Sequence, residues 1–480
     1  MGTVTTTDPR MGAFDAVMWG VEGDPLLRSV ITLVCVLDTA PDEGIILDRV
    51  ERMSRTNPKL RQRAIGNPIS LVAPRWETDP NFDMAYHVRW EKLPRRGAGL
   101  ADVLELAERV SEQDFDRSRP LWELHIITGL AGKQAAFIIK LHHSITDGVG
   151  GLQMAASLFE LERDTVTDLG PMPEAPAGSV LDMMQRIRQG VSIESAATLA
   201  DVSGSAKSAA NVLRKAVTDP MTTAFAAQEW TASAARMLAP ASVPLSGLWT
   251  QRSLSVAFSI IEIPLADLKR ASKAAGVTLN DAFMAAVTGG LYLYHEAHGS
   301  PPDALRVNMP INMRTPEGAN EGGNKWVPAR IVLPINVTDA ASRMRQLHPI
   351  LQQARTEPAL GLSDVVYRLL TLLPRPVTTS IAGGLMKGTD FAATNVPGPP
   401  IPVYFAKSKV LAMIPFAPKG GAAVNVALMS YDGKVFLGVN IDRGAVNEPE
   451  QLTDLITQSL ESVLAVGVPE ESASATTATP

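Results

Sequence analysis

Apolar positions along this 480-residue chain alternate between two spacings. Residues 27–38, LRSVITLVCVLD, form a continuous apolar run rich in β-branched side chains, as a buried strand does. DEGIILDRVERMSRTNP follows with apolar residues at helical spacing, and Pro58 stops it. Residues 100–113 read as another helix. LWELHIITGL and QAAFIIKLHH read as a strand pair joined by a glycine-containing turn around Gly129 to Gly132. GGLQMAASLFELER then returns to helical spacing. From Thr165 to Pro176 the chain is polar and proline-rich, a candidate boundary. Residues 178–240 are rich in alanine, serine, methionine and arginine with few strand formers. They read as helices linking two halves, packed as a bridging bundle rather than laid on lipid.

A second series begins at Ser253. SLSVAFSIIEIP predicts a strand, and PLADLKRASKAAG a helix opened by Pro264 and stopped by Gly276. VTLNDAFMAAVTGGLYLYHEAHG predicts a longer helix, with Thr278 and Asp281 spaced as a capping box. AAVNVALMSYDGKVFLGVNID predicts a hairpin turning at Asp432-Gly433, and EPEQLTDLITQSLESVLAVG a closing helix. Strands and helices therefore alternate in both halves, which points to an α/β chain. The division expected is a first half over 1–170, a helical linker over 171–250, a second half over 251–468, and a disordered tail over 469–480.

Composition narrows the function. Hydrophobic residues make up 45% and charged residues 20%, enough for a large core. A net charge of -6 argues against a nucleic-acid binder, which needs a basic face to neutralise phosphates. The single cysteine, Cys35, rules out a disulfide framework within the chain and fits a reducing compartment, so a cytoplasmic location is expected. No secretory leader is legible, and no window offers the roughly 18 uninterrupted apolar residues of a membrane span. Contact with the inner membrane surface or a lipid droplet stays open, and so does the oligomeric state.

The chemistry centres on LHHSITDG, residues 141–148, in a chain with only 7 histidines. Successive strand residues face opposite ways, so His142 and His143 cannot both serve one cavity from a regular strand. A zinc pair is disfavoured, and no metal site is expected. HEAH at 295–298 has no clear third ligand and reads as the polar end of a helix. One imidazole acting as a base is the better reading, because its ordinary pKa of about 6.5 lets it take a proton from a hydroxyl at neutral pH. Asp147 and Gly148 would shape the loop, the glycine by tolerating positive φ and the aspartate by pairing with a cation. No G-x-S-x-G motif offers a serine nucleophile, and Cys35 lies in an apolar strand where a thiolate is disfavoured.

HHSITDG (142–148), DFDRSRPLWE (114–123), TLNDAF (278–283), VNMPINMR (307–314) with GGN (322–324), and NVPGPP (395–400) occur in one order. Together they resemble the bacterial wax ester synthase/diacylglycerol acyltransferase family of the CoA-dependent acyltransferase superfamily. The resemblance implies two chloramphenicol-acetyltransferase-like halves with an active-site tunnel at their interface. It implies acyl-CoA as co-substrate, a lipid alcohol as acceptor, and no cofactor. His143 would be the base, with His142 and Asp147 supporting the loop and Gly148 bordering the substrate. Arg314 is the expected ionic partner of Asp147. Asn280 would steady the oxyanion and Asp281 would border the substrate, or the two would simply cap their helix; both readings stay open. Pro120, Leu121 and Trp122 would line the acyl channel or pack as core. A carrier-protein-dependent condensation enzyme and a non-catalytic lipid binder are the alternatives.

Overall fold

The computed structural model describes residues 10–66, 74–94, 97–176, 243–312, 326–356, 367 and 375–468. The 178–240 linker, Arg314, the GGN motif and the 469–480 tail lie outside the described residues.

The first half begins with α1 (Ala13–Val21), β1 (Val30–Leu37) and α2 (Glu43–Thr56). Asp42 caps α2 by accepting the Ile45 N–H at 3.1 Å. A small hairpin, β2 (Gln62–Ile65) and β3 (Arg75–Thr78), precedes α3 (Met84–His87), β4 (Val88–Lys92) and α4 (Leu100–Glu112). The expected strand pair is β5 (Trp122–Thr128) and β6 (Ala135–His142), antiparallel, with Gly129 and Gly132 at φ 96° and 65° in the turn. α5 (Gly148–Ala155) is shorter than its apolar spacing suggests. The chain leaves helical geometry and forms β7 (Phe159–Glu160), because those two residues find ladder partners in Tyr404 and Phe405. Arg49 holds the Glu160 carboxylate at 2.6 Å, and Arg52 and Arg55 donate to carbonyls of residues 169–173. The polar segment after β7 is thereby strapped to α2.

In the second half β8 (Val256–Pro264) leads to α6 (Leu265–Ala275), which ends where Gly276 turns left-handed at φ 74°. Then come α7 (Leu279–Ala297), β9 (Ala304–Asn312), β10 (Trp326–Pro334), α8 (Ala340–Arg355) and α9 (Arg375–Lys387). β11 (Phe391–Pro397), β12 (Tyr404–Phe405), β13 (Ser408–Phe416), β14 (Val424–Tyr431), β15 (Lys434–Asp442) and α10 (Pro449–Leu464) complete the chain. The β14–β15 hairpin turns at Asp432-Gly433, both at positive φ (44° and 76°), as a type I′ turn requires.

Two mixed sheets carry the core. One runs β4-β5-β6-β1-β13-β12-β7 and the other β10-β9-β11-β14-β15-β8. β12 and β13 come from the second half of the chain yet complete the first sheet, with Cys35 opposite Met413 in the ladder. The lobes are thus joined by a donated strand. Where that strand crosses the second sheet, a Cβ on Gly438 would sit 1.8 Å from the Pro415 carbonyl oxygen, so only glycine permits the crossing. A second junction lies along the β8 edge. Glu112 and Glu108, one turn apart on α4, accept the Val256 and Phe258 N–H groups at 2.8 and 2.7 Å. Phe258 stacks on Phe416 at 3.9 Å between centroids. These carboxylates cover an edge strand with a helix from the other lobe.

Candidate active site

β6 ends at His142, and the SITD turn carries the chain into α5. His143 is the first residue past the strand, and its N–H donates to the Ser29 carbonyl at 2.8 Å. That bond pins it beside the start of β1. Its ring is half-buried, whereas His142 and Ser144 on either side are sealed at 1% and 0% exposure. Burial pushes the His143 pKa down to about 4, against the raising influence of its own backbone and of Asp147; the neighbouring His142 lowers it further. At neutral pH the ring is uncharged and able to accept a proton.

His142 is fully engaged. The Ser144 N–H donates to Nδ1 at 3.1 Å, which makes Nδ1 an acceptor and leaves Nε2–H to donate to Glu22 at 2.9 Å. Glu22, just past α1, also accepts the Ser29 N–H at 2.6 Å and is paired with Arg117 at 2.9 Å. Burial alone would raise the Glu22 pKa. The His142 ring, the Ser29 N–H and the Arg117 guanidinium outweigh it and hold the carboxyl below its ordinary value. One carboxylate thus ties His142 to Ser29, whose other face anchors His143. Sequence reasoning missed Glu22, since a lone acid carries no spacing signal. Trp19 meets the His142 ring edge-on at 5.4 Å, and Arg117 lies over Trp19 at 4.2 Å.

The rest of the loop is braced by groups that the motif does not contain. Asp147, 5% exposed, caps α5 by accepting the Gly150 N–H at 2.7 Å. Lys59 donates to the carbonyls of Ser144 and Ile145 at 3.1 and 3.2 Å. Gly148 corrects an expectation. It opens α5 without positive φ. Its role is close approach, because a Cβ there would come 2.9 Å from a Val396 methyl. Val396 belongs to the NVPGPP stretch at the end of β11, so the first-half loop and the second-half sheet touch at this glycine.

The TLND motif opens α7. Thr278 is the N-cap, and Asp281 answers it by accepting the Thr278 N–H at 2.8 Å, which is the expected capping box. Asp281 is 1% exposed and also accepts from His348 Nδ1 on α8 at 2.6 Å. Asn280 does not cap. Its side chain is half-buried, and its amide lies 3.9 Å from the Met309 sulfur, a weak acceptor.

Pro120, Leu121 and Trp122 are all buried. Trp122 donates to the Leu60 carbonyl at 2.8 Å and stacks on His87 at 4.4 Å, contacts that belong to core packing. His295 corrects a second expectation. It is fully buried rather than a polar helix end, and its ring bonds Ser246 Oγ at 2.7 Å. That serine oxygen is taken by the Leu248 and Trp249 N–H groups, and the pair is sealed, so it is a structural contact. Among the described residues no cluster of three or more histidine, cysteine or acidic side chains could hold a metal. No described helix is long and apolar enough to cross a membrane. A cleft with about 490 Å³ of space, part of it open solvent, lies between the lobes against Val30, Thr32, Glu112, Val256, Phe258 and Phe416.

Comparison with known proteins bears on the whole chain. Residues 11–283 match the sequence model of the wax ester synthase/diacylglycerol acyltransferase catalytic domain, and residues 322–463 match the corresponding C-terminal domain. Rv2484c of Mycobacterium tuberculosis, provisionally named a diacylglycerol O-acyltransferase, is 33% identical over 95% of this chain and 92% of its own length. The M. tuberculosis protein tgs1, named in the same provisional way, is 27% identical over 90% of each chain. Among solved structures, the wax ester synthase/diacylglycerol acyltransferase of Marinobacter aquaeolei VT8 shares the fold at a TM-score of 0.61 and 21% identity, covering 96% of this chain and 100% of that one. The first condensation domain of the calcium-dependent antibiotic synthetase shares it at 0.61 and 14% identity, covering 96% and 97%. With a two-lobed fold, an HHxxxDG loop at the lobe junction and family models spanning both halves, the chain belongs to the wax ester synthase/diacylglycerol acyltransferase family and is an acyltransferase.

Proposed function

We propose that the protein moves a long-chain acyl group from acyl-CoA to the hydroxyl of diacylglycerol or of a fatty alcohol, with His143 as general base. The neutral, half-buried imidazole on a loop braced from three sides carries this reading. The ring takes the hydroxyl proton as the alcohol oxygen bonds to the thioester carbon. The carbonyl oxygen gains negative charge, which the Asn280 amide at the α7 N-terminus is suited to meet. Collapse of that intermediate breaks the C–S bond, and the imidazolium returns its proton to the departing thiolate. No covalent enzyme intermediate and no cofactor are needed.

Binding energy comes from the acyl tail. A buried methylene is worth about 0.8 kcal/mol before ordering costs, so about 12 of them supply roughly 10 kcal/mol gross. The acceptors are lipids, which favours work at a membrane or droplet surface by peripheral contact.

The test uses purified protein with labelled palmitoyl-CoA and either diacylglycerol or hexadecanol. Ester formation with at least one acceptor is expected. Binding of acyl-CoA with no transfer would favour a lipid-binding protein. Transfer only from a carrier-bound thioester would favour condensation-type chemistry.

A further inference from the structure

We propose that His348, a residue outside every motif of the chain, is a positioning residue that acts on Asn280 through Asp281. The proposal rests on Asn280 as the group that meets the developing oxyanion, and adds a tertiary component to that role.

A capping box needs only two bonds, one from the Asp281 N–H to the threonine and one from the Thr278 N–H to the aspartate. Here one carboxylate oxygen, Asp281 Oδ2, accepts three donors: the Thr278 N–H at 2.8 Å, the Thr278 hydroxyl at 2.7 Å and His348 Nδ1 at 2.6 Å. The third comes from another helix, 67 residues further along the chain. Asp281 itself is buried, and its other oxygen, Oδ1, is buried with no hydrogen-bond partner among the described residues. A buried carboxylate served on one side only is held in place by the donors it has, and losing one leaves it poorly satisfied. His348 is half-exposed on α8, so its ring can be changed without opening the core.

The geometry shows what this bond controls. A hydrogen bond between α8 and the third residue of α7 fixes the rotation of that first turn. Asn280 is the residue before Asp281 and stands on the same turn. Its amide lies near the weak thioether acceptor of Met309, so little else holds it in register. A displacement of the turn would therefore swing the Asn280 amide away from the point where charge develops, and a loss of about 1 Å in placement can be felt strongly in the rate.

The donor is Nδ1, so the substitutions differ in a defined way. The side-chain nitrogen of asparagine lies near the place of Nδ1, whereas that of glutamine mimics Nε2. His348→Asn should keep kcat within about twofold of wild type, and His348→Gln and His348→Leu should lower kcat about tenfold while the KM for acyl-CoA changes little. In an Asn280→Ala background, His348→Leu should add almost nothing to the loss, since both act on one amide. Thermal unfolding of each variant reports on folding, and the Asn/Gln pair remains informative if the leucine variant is unstable. Equal activity of the Asn and Gln variants, additive losses in the double variant, or full activity of Asn280→Ala would each overturn the proposal. Failure of the base reading would show separately, as retained activity in His143→Ala.

Discussion

Two helix-opening turns, one in each half of the chain, carry the residues proposed for the chemistry, and they are built differently. The α5 turn follows His143 and is capped by Asp147; the α7 turn carries Asn280 and is capped by Thr278 with Asp281. Both carboxylates are buried. The α7 turn closes on itself within four residues and takes one outside donor, His348. The loop before α5 is held by groups scattered over the first half: Lys59 on its carbonyls, Glu22 on His142 and the Ser29 carbonyl on the His143 N–H. A local box is cheap in chain entropy and positions one amide. A loop that must hold an uncharged imidazole in a half-buried setting draws its restraints from distant segments, because its own residues are occupied by the turn.

The sharpest way to probe that contrast is at the ring itself. His143→Ala should lower kcat by about 10³, within the range for loss of a general base, in protein that still unfolds cooperatively. Wild-type rate in a folded variant would remove His143 from the mechanism. The pH profile tests the same ring without mutation. A general base works in its uncharged form, and burial pushes the His143 pKa down to about 4. Activity measured as kcat/KM should therefore hold as pH falls through about 6.5, the ordinary imidazole value, and drop only towards 4. An inflection near 6.5 would mean that the ring is better solvated than its surroundings imply.

Glu22→Ala is expected next. It leaves the His142 Nε2–H and the Ser29 N–H without their acceptor, and each such loss in a buried setting costs about 1–3 kcal/mol. A clear drop in the unfolding midpoint together with about tenfold lower kcat is expected, whereas Glu22→Gln should recover part of both. Lys59→Met should have a smaller effect, about threefold in kcat, since the lysine is only one of the loop's restraints. A larger loss in the Lys59 variant than in the Glu22 variant would make the lysine, not the carboxylate, the main brace of the loop. Gly148→Ala should be felt mainly where the two lobes touch, at Val396, with a stability loss of about 1 kcal/mol, in the lower range for overpacking.

Much of the fold was legible because its signals are short-range. Apolar spacing located β1, α2, α4, β5, β6, α6, α7, the β14–β15 hairpin and α10, and Gly276 and Asp432-Gly433 stood at their turns. The spacing misled at β7, where two residues of helical pattern joined β12 instead. Burial of His295 was equally illegible, since a histidine near a helix end looks the same whether Ser246 or water meets it. The His-His pair stood out in the sequence, while Glu22, Lys59 and His348 had no signal at all. Gly148 was expected for the wrong reason, a backbone angle rather than a neighbour from the other lobe.

By itself, the order of residues determined the local elements, the HHSITDG loop and the Thr278–Asp281 box, because periodicity, turn chemistry and capping act over only a few positions. Only the tertiary structure decided that β13 completes the sheet of the other half, that Glu22 anchors His142, and that His348 reaches Asp281. Contacts between residues tens or hundreds of positions apart depend on how the sheets stack and cross, and that geometry leaves no periodic mark on the chain.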